Sequence, residues 1–131
     1  MREGFWPDDQ KVSNENNEFF IKPFSLEEID IVIKELKNNT APGPDGMPVV
    51  FYKEFLDNVR PLIKEMLDDL KAGNLDLKRI NYGVIVLLPK IADAEEIKQY
   101  RPICLINVVF KIITKVLTNR LLIRCKRIYN F

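Results

Sequence analysis

Leu87-Leu88-Pro89-Lys90 and, shortly after it, Gln99-Tyr100-Arg101-Pro102-Ile103 decide how this chain is read. The first string closes the apolar run Val84 to Leu88, short, β-branched at its start and stopped by a proline, which predicts a buried strand with a lysine at its end. The second opens the next segment with an arginine held in front of a proline, and Ile103 to Ile106 follows as the partner strand. Two cations thus stand at the ends of neighbouring elements. Arginine offers phosphate oxygens a planar fork and lysine a compact point charge, so the pair suits a phosphate-rich ligand. The plainer alternative is that Lys90 caps a strand end in water and Arg101 pairs with Glu95 or Glu96.

Working outward, helices dominate. Ser25 with Glu28 makes a capping box, and Leu26, Ile29, Val32, Ile33 and Leu36 form one apolar stripe ending at Asn38-Asn39. The loop Thr40-Ala41-Pro42-Gly43-Pro44-Asp45-Gly46 combines prolines that fix φ with glycines that permit positive φ, so it is stiff and sharply bent. A helical region follows, with Val50, Phe51 and Phe55, then Leu62, Ile63, Met66, Leu67 and Leu70. Pro61 marks the first turn of its second half and Gly73 closes it. Asn107 caps a last helix to about Leu122, whose apolar positions Val109, Ile112, Ile113, Val116, Leu117 and Leu121 leave Lys111 and Lys115 on another face. The sum is an α+β fold, several helices around a small sheet.

Composition narrows the classes. The 131 residues carry no histidine, two cysteines and a net charge of +1. They suffice for one core, and no apolar stretch approaches the ~20 residues of a membrane span. The N-terminus has no secretory pattern, so an intracellular location, cytoplasmic or nuclear and not secreted, and free buried thiols at Cys104 and Cys125 are expected. Residues 97–131 hold eight cations and no acid, while residues 1–96 hold twelve cations against all nineteen acids. Such segregation fits either a polyanion partner or docking of a basic face on the protein's own acidic half. Residues 1–22, polar and Asn/Glu-rich, are expected to form a loose arm whose Trp6, with Phe19, Phe20 and Phe24, packs against the core.

Phe24-Ser25-Leu26-Glu27-Glu28-Ile29, Ala41-Pro42-Gly43-Pro44-Asp45-Gly46-Met47-Pro48 with Phe51-Tyr52-Lys53, Leu87-Leu88-Pro89-Lys90, Tyr100-Arg101-Pro102-Ile103-Cys104-Leu105, and Phe110-Lys111-Ile112 with Asn119-Arg120-Leu121 occur in this order. Together they resemble the N-terminal part of reverse transcriptases from non-LTR (LINE-type) retrotransposons, particularly those of plants. The resemblance covers residues 19–122 and rests on five motifs in sequence. It implies the fingers and early palm of a right-hand polymerase at residues 23–122, followed by a divergent basic tail at 123–131. It implies that Lys90 and Arg101 grip the nucleotide triphosphate, that Gly43, Asp45 and Gly46 approach template or nucleotide, and that Lys111 and Lys115 contact the template backbone. The implied partners are an RNA or DNA template-primer, dNTP and the rest of the palm.

The family's polymerases hold Mg2+ with palm carboxylates, an Asp in the first palm motif and a later Asp-Asp pair. Neither motif occurs in this sequence. Asp68-Asp69 lies in a helical pattern upstream of the fingers motifs and Asp8-Asp9 in the arm, so neither pair is expected to be catalytic. The expectation is a polymerase fragment, truncated or frame-shifted, inactive by itself. Rival expectations are a vestigial nucleic-acid-binding module, and an inert chain exposing apolar surface from Ile103 to Leu122 and self-associating.

Overall fold

The computed structural model describes residues 12–129, with side chains to Lys126. Trp6 and Asp8-Asp9 lie outside the described residues. The chain divides into two compact units, Phe24–Val116 and a second made of Met1–Pro23 with Leu117–Phe131. Helix α1 (Asn14–Ile21) belongs to the second, α2 (Leu26–Glu35), α3 (Val49–Glu54), α4 (Leu56–Ala72), α5 (Leu77–Ile80), β1 (Gly83–Pro89) and β2 (Tyr100–Ile106) to the first. Helix α6 (Val108–Tyr129) belongs to the first through Val116 and to the second beyond it. The fold is α+β, and no described helix is long and apolar enough to cross a membrane.

In the Phe24–Val116 unit the capping box forms as expected: Glu28 N–H donates to Ser25 Oγ at 3.2 Å and Ser25 N–H to Glu28 Oε2 at 2.8 Å. This satisfies two of the orphan donors of the first turn of α2. At the other end of α2, the Lys53 ammonium donates to the Leu36 carbonyl at 2.7 Å, and Arg60 bridges to Asp30 at 3.0 Å, tying α2 to α3 and α4. Gly73 ends α4 at φ +77°, a left-handed conformation a glycine adopts without a Cβ clash. The helical region breaks at Phe55, which caps α4 while its own N–H still donates to the Phe51 carbonyl at the end of α3, and Pro61 sits inside α4 rather than in its first turn. Ile29, Ile33, Ile63, Leu67, Ile112 and Ile113 are at most 2% exposed, and every buried apolar residue described lies in this unit.

The two strands pair antiparallel, Gly83 opposite Ile106 through Pro89 opposite Tyr100. Here the reading of β1 as a buried strand is overturned: Val84, Ile85, Leu87 and Leu88 are 44–68% exposed. An unbroken apolar run signals a strand covered on both faces, yet the described sheet is a two-stranded hairpin and the helices pack mainly on one another. Cys104 is accordingly exposed and free, not buried, and Cys125 is half-buried and free. The apolar surface expected from Ile103 to Leu122 is split. Val108, Ile112, Ile113 and Val116 are core, while Ile103, Leu121 and Leu122 are exposed.

In the second unit, residues 14–21 are helical where a loose arm was expected. Ser13 caps α1, with Asn16 N–H donating to its Oγ at 3.3 Å. Arg120, 6% exposed, donates to the carbonyls of Phe20 (3.3 Å), Lys22 (2.6 Å) and Pro23 (2.7 Å). Arg124 sits 4.4 Å from the Phe19 ring centroid and 3.5 Å from Glu15. The last helix also passes Leu122, its expected end, and reaches Tyr129. These long-range contacts have no local pattern, so a polar segment gains structure that its composition does not announce.

Candidate functional site

The Pro-Gly loop is fastened to the start of α6. Gly46 N–H donates to the Gly43 carbonyl at 3.0 Å, closing a turn around Pro44-Asp45, and Gly46 takes φ +71°. Met47 N–H donates to Asp45 Oδ1 at 3.0 Å. Asp45 N–H donates to Asn107 Oδ1 at 3.2 Å. Asn107 precedes α6 as expected, but its side-chain oxygen serves the loop. Gly43 lies so close that a Cβ there would meet Asn107 N and Oδ1 at 2.4 Å and the Ile106 carbonyl carbon at 2.5 Å. Asn107 is the positioning residue that sequence reasoning assigned to helix capping alone; its loop partner is 62 residues away, and no local signal gives such a contact.

Between loop and hairpin runs a groove of about 440 Å³, lined by Thr40, Ala41, Val86, Leu88, Ile103, Cys104, Leu105 and Lys111. Its floor is one face of the hairpin: Val84, Val86 and Leu88 stand opposite Leu105, Ile103 and Arg101, and residues in register share a face. Lys90 N–H donates to the Gln99 carbonyl at 2.7 Å, extending the ladder one residue past Pro89. By alternation Lys90 and Arg101 fall on the groove's side, diagonal to each other across the strands. The Lys90 ammonium donates to the Lys98 carbonyl at 2.8 Å. Arg101 is exposed and makes no ion pair among the described residues; Glu96 is taken by Lys98 at 2.5 Å. Lys111 lines the groove, whereas Lys115 stands 3.9 Å from Glu35. Gly43, Asp45 and Gly46 form the turn beside the groove and are not among its lining residues.

Much of the basic C-terminal segment is engaged within the chain. Lys98, Lys115 and Arg124 face Glu96, Glu35 and Glu15, and Arg120 is buried against carbonyls. Docking on the protein's own acids therefore accounts for Lys98, Lys115 and Arg124, and backbone carbonyls hold Arg120, leaving Arg101 and Lys111 as the cations of this segment beside the groove without an ion pair among the described residues. Asp68 and Asp69 are exposed on α4, Asp68 paired with Lys64. Among the described residues no group of three or more His, Cys, Asp or Glu side chains lies together. These residues therefore do not fit a catalytic Mg2+.

A second cavity, about 370 Å³, has Asp45, Met47, Phe51, Tyr52, Met66 and Val109 among its lining residues. Burial pushes the Tyr52 phenol above its ordinary pKa, and the Asp45 charge pushes it further the same way.

No family model matches the chain. It is 32% identical, over 120 residues, to the uncharacterized 149 kDa protein of transposon TX1 from Xenopus laevis. The similarity takes in 91% of this chain and 9% of that relative. By it, the chain is a transposon-related protein.

Proposed function

We propose that the chain is a retrotransposon-derived segment of an RNA-directed DNA polymerase, its fingers and early palm. In this role Arg101 and Lys90 contact phosphate, and the groove below them receives template or nucleotide. The observation that carries the reading is the hairpin register, since it sets two cations from the two strands at one end and on one face of the hairpin, beside a groove lined by a third, Lys111. An apolar floor with cations at its margin accommodates a stacked base and its phosphate at once. The similarity to a transposon protein and the order of the five motifs support the same reading. Chemistry on the nucleotide needs carboxylates these residues do not bring together, so the role of this segment is to bind and position.

The test is fluorescence anisotropy of a labelled RNA–DNA template-primer against the 131-residue chain, with and without dNTP, across a salt series. Lys90→Ala and Arg101→Ala should each weaken binding. Each lost phosphate contact should also lower the slope of log affinity against log salt by about 1. Unchanged affinity and slope in both variants would remove the assignment. Loss in Lys111→Ala alone would favour a general nucleic-acid-binding module over a triphosphate grip.

A further inference from the structure

We infer that the outer edge of β1 is a self-association surface, on which a second copy of this chain adds its own β1 antiparallel about a two-fold axis through Val86. The hydrogen-bond parity of the hairpin singles out that edge. Lys90 N–H donates to the Gln99 carbonyl directly opposite it, so pairs of that parity, Leu88 with Arg101 and Val86 with Ile103, exchange the ladder bonds. The intervening residues, Ile85 and Leu87 on β1 and Pro102 and Cys104 on β2, turn their backbone polar groups outward. Pro102 has no N–H, which breaks the outer edge of β2 in its middle. The loop through Gly43 lies against the end of the same strand, at Ile106–Asn107. On β1, Ile85 and Leu87 keep both donor and acceptor, are 68% and 49% exposed, and have no third strand beside them among the described residues.

The occupant follows from self-complementarity, which a two-fold interface requires. About Val86, Ile85 faces Leu87 of the copy, Val84 faces Leu88, Gly83 faces Pro89 and Tyr82 faces Lys90. Ile85 and Leu87 fall on hydrogen-bonding positions of both strands, giving four new backbone bonds. No like charges meet: Tyr82 to Pro89 carries no charged residue, and Lys90 comes opposite an aromatic ring. Val84 to Leu88 are all aliphatic, exposed except for the half-buried Val86, and leave the edge without the inward charge or bulge that ordinarily blunts one. The product is a four-stranded sheet ending at the two proline-interrupted β2 edges, so association stops at a dimer. A single strand-to-strand contact is small against the roughly 1,200–2,000 Å² of stable interfaces, which places the dissociation constant at about micromolar or weaker.

Sedimentation velocity of the 131-residue chain over a concentration series should show monomer passing to dimer and no further. Leu87→Pro removes an outward N–H while leaving the β1–β2 ladder bonds in place, and should weaken dimerisation roughly tenfold or more, because the two-fold doubles the loss. Val86→Lys and Val86→Asp each place like charges together at the axis and should be monomeric, while their equimolar mixture should dimerise. That mixture keeps the proposal testable should Leu87→Pro fail to fold. A wild-type chain that stays monomeric throughout, one that grows beyond dimer, or variants whose mixture does no better than either alone would each overturn it.

Discussion

Gly43→Ala is the substitution that most directly probes how the loop is held over the groove. The added methyl would stand 2.4 Å from both the backbone nitrogen and Oδ1 of Asn107, and 2.5 Å from the carbonyl carbon of Ile106. Two of these three atoms are backbone at the junction of β2 and α6, so the loop must lift rather than a side chain turn. Overpacking of this kind costs about 1–3 kcal/mol. Lifting also breaks the hydrogen bond from Asp45 N–H to Asn107 Oδ1, adding about 1 kcal/mol. The expected loss is thus about 2–4 kcal/mol in urea unfolding, with a fall of roughly 10 °C in melting temperature. Gly46→Ala is the matched control. Nothing lies within 4 Å of its Cβ, and only the positive φ of +71° opposes it, worth about 1–2 kcal/mol. Asn107→Ala in the Gly43→Ala background separates side chain from backbone. Because the backbone atoms remain in the way, it should not restore stability. Equal losses at Gly43 and Gly46, or full rescue by Asn107→Ala, would refute the argument.

Other outcomes follow from the same contacts. Arg120→Lys cannot reproduce a fork donating to Lys22 and Pro23 carbonyls at 2.6 and 2.7 Å, so it should cost about 2–3 kcal/mol and speed hydrogen exchange of the α1 amides before those of α4. Ser25→Ala removes one half of the capping box and should lower stability by about 1 kcal/mol in chemical denaturation. Ile63→Ala, at a site 2% exposed, should cost about 2–5 kcal/mol by the same assay. The raised pKa of Tyr52 means the folded chain holds the phenolic proton more tightly than the unfolded chain does. Its contribution is therefore fully present below pH 10.0 and lost as pH rises above it. Absorbance titration should show one tyrosine ionising late, absent in Tyr52→Phe and shifted downward in Asp45→Asn.

Local pattern alone is enough for the elements whose stabilisation is local. The Ser25–Glu28 box, the apolar stripe of α2, the closure of α4 by Gly73, the strand stopped at Pro89 and its partner before Asn107 all follow from neighbours within a few residues, where caps, turns and periodicity act. Lys90 and Arg101 could be proposed as a pair because each stands at a strand terminus, a position that a breaker residue marks in the sequence. Tertiary structure alone decided whether the strand was covered. An aliphatic run reports what a strand would gain by burial, but coverage depends on neighbours, and among the described residues β1 has only β2 beside it. It also decided that the end of α1 and the residues after it are held by a guanidinium nearly a hundred residues away, and that Asn107 anchors the Pro-Gly loop. It divided the cations, sending Lys115 to Glu35 and Lys111 to the groove, although one turn of helix separates them. Charge and polarity are properties of a residue, whereas partnership is a property of distance, and distance is set only when the chain has closed on itself.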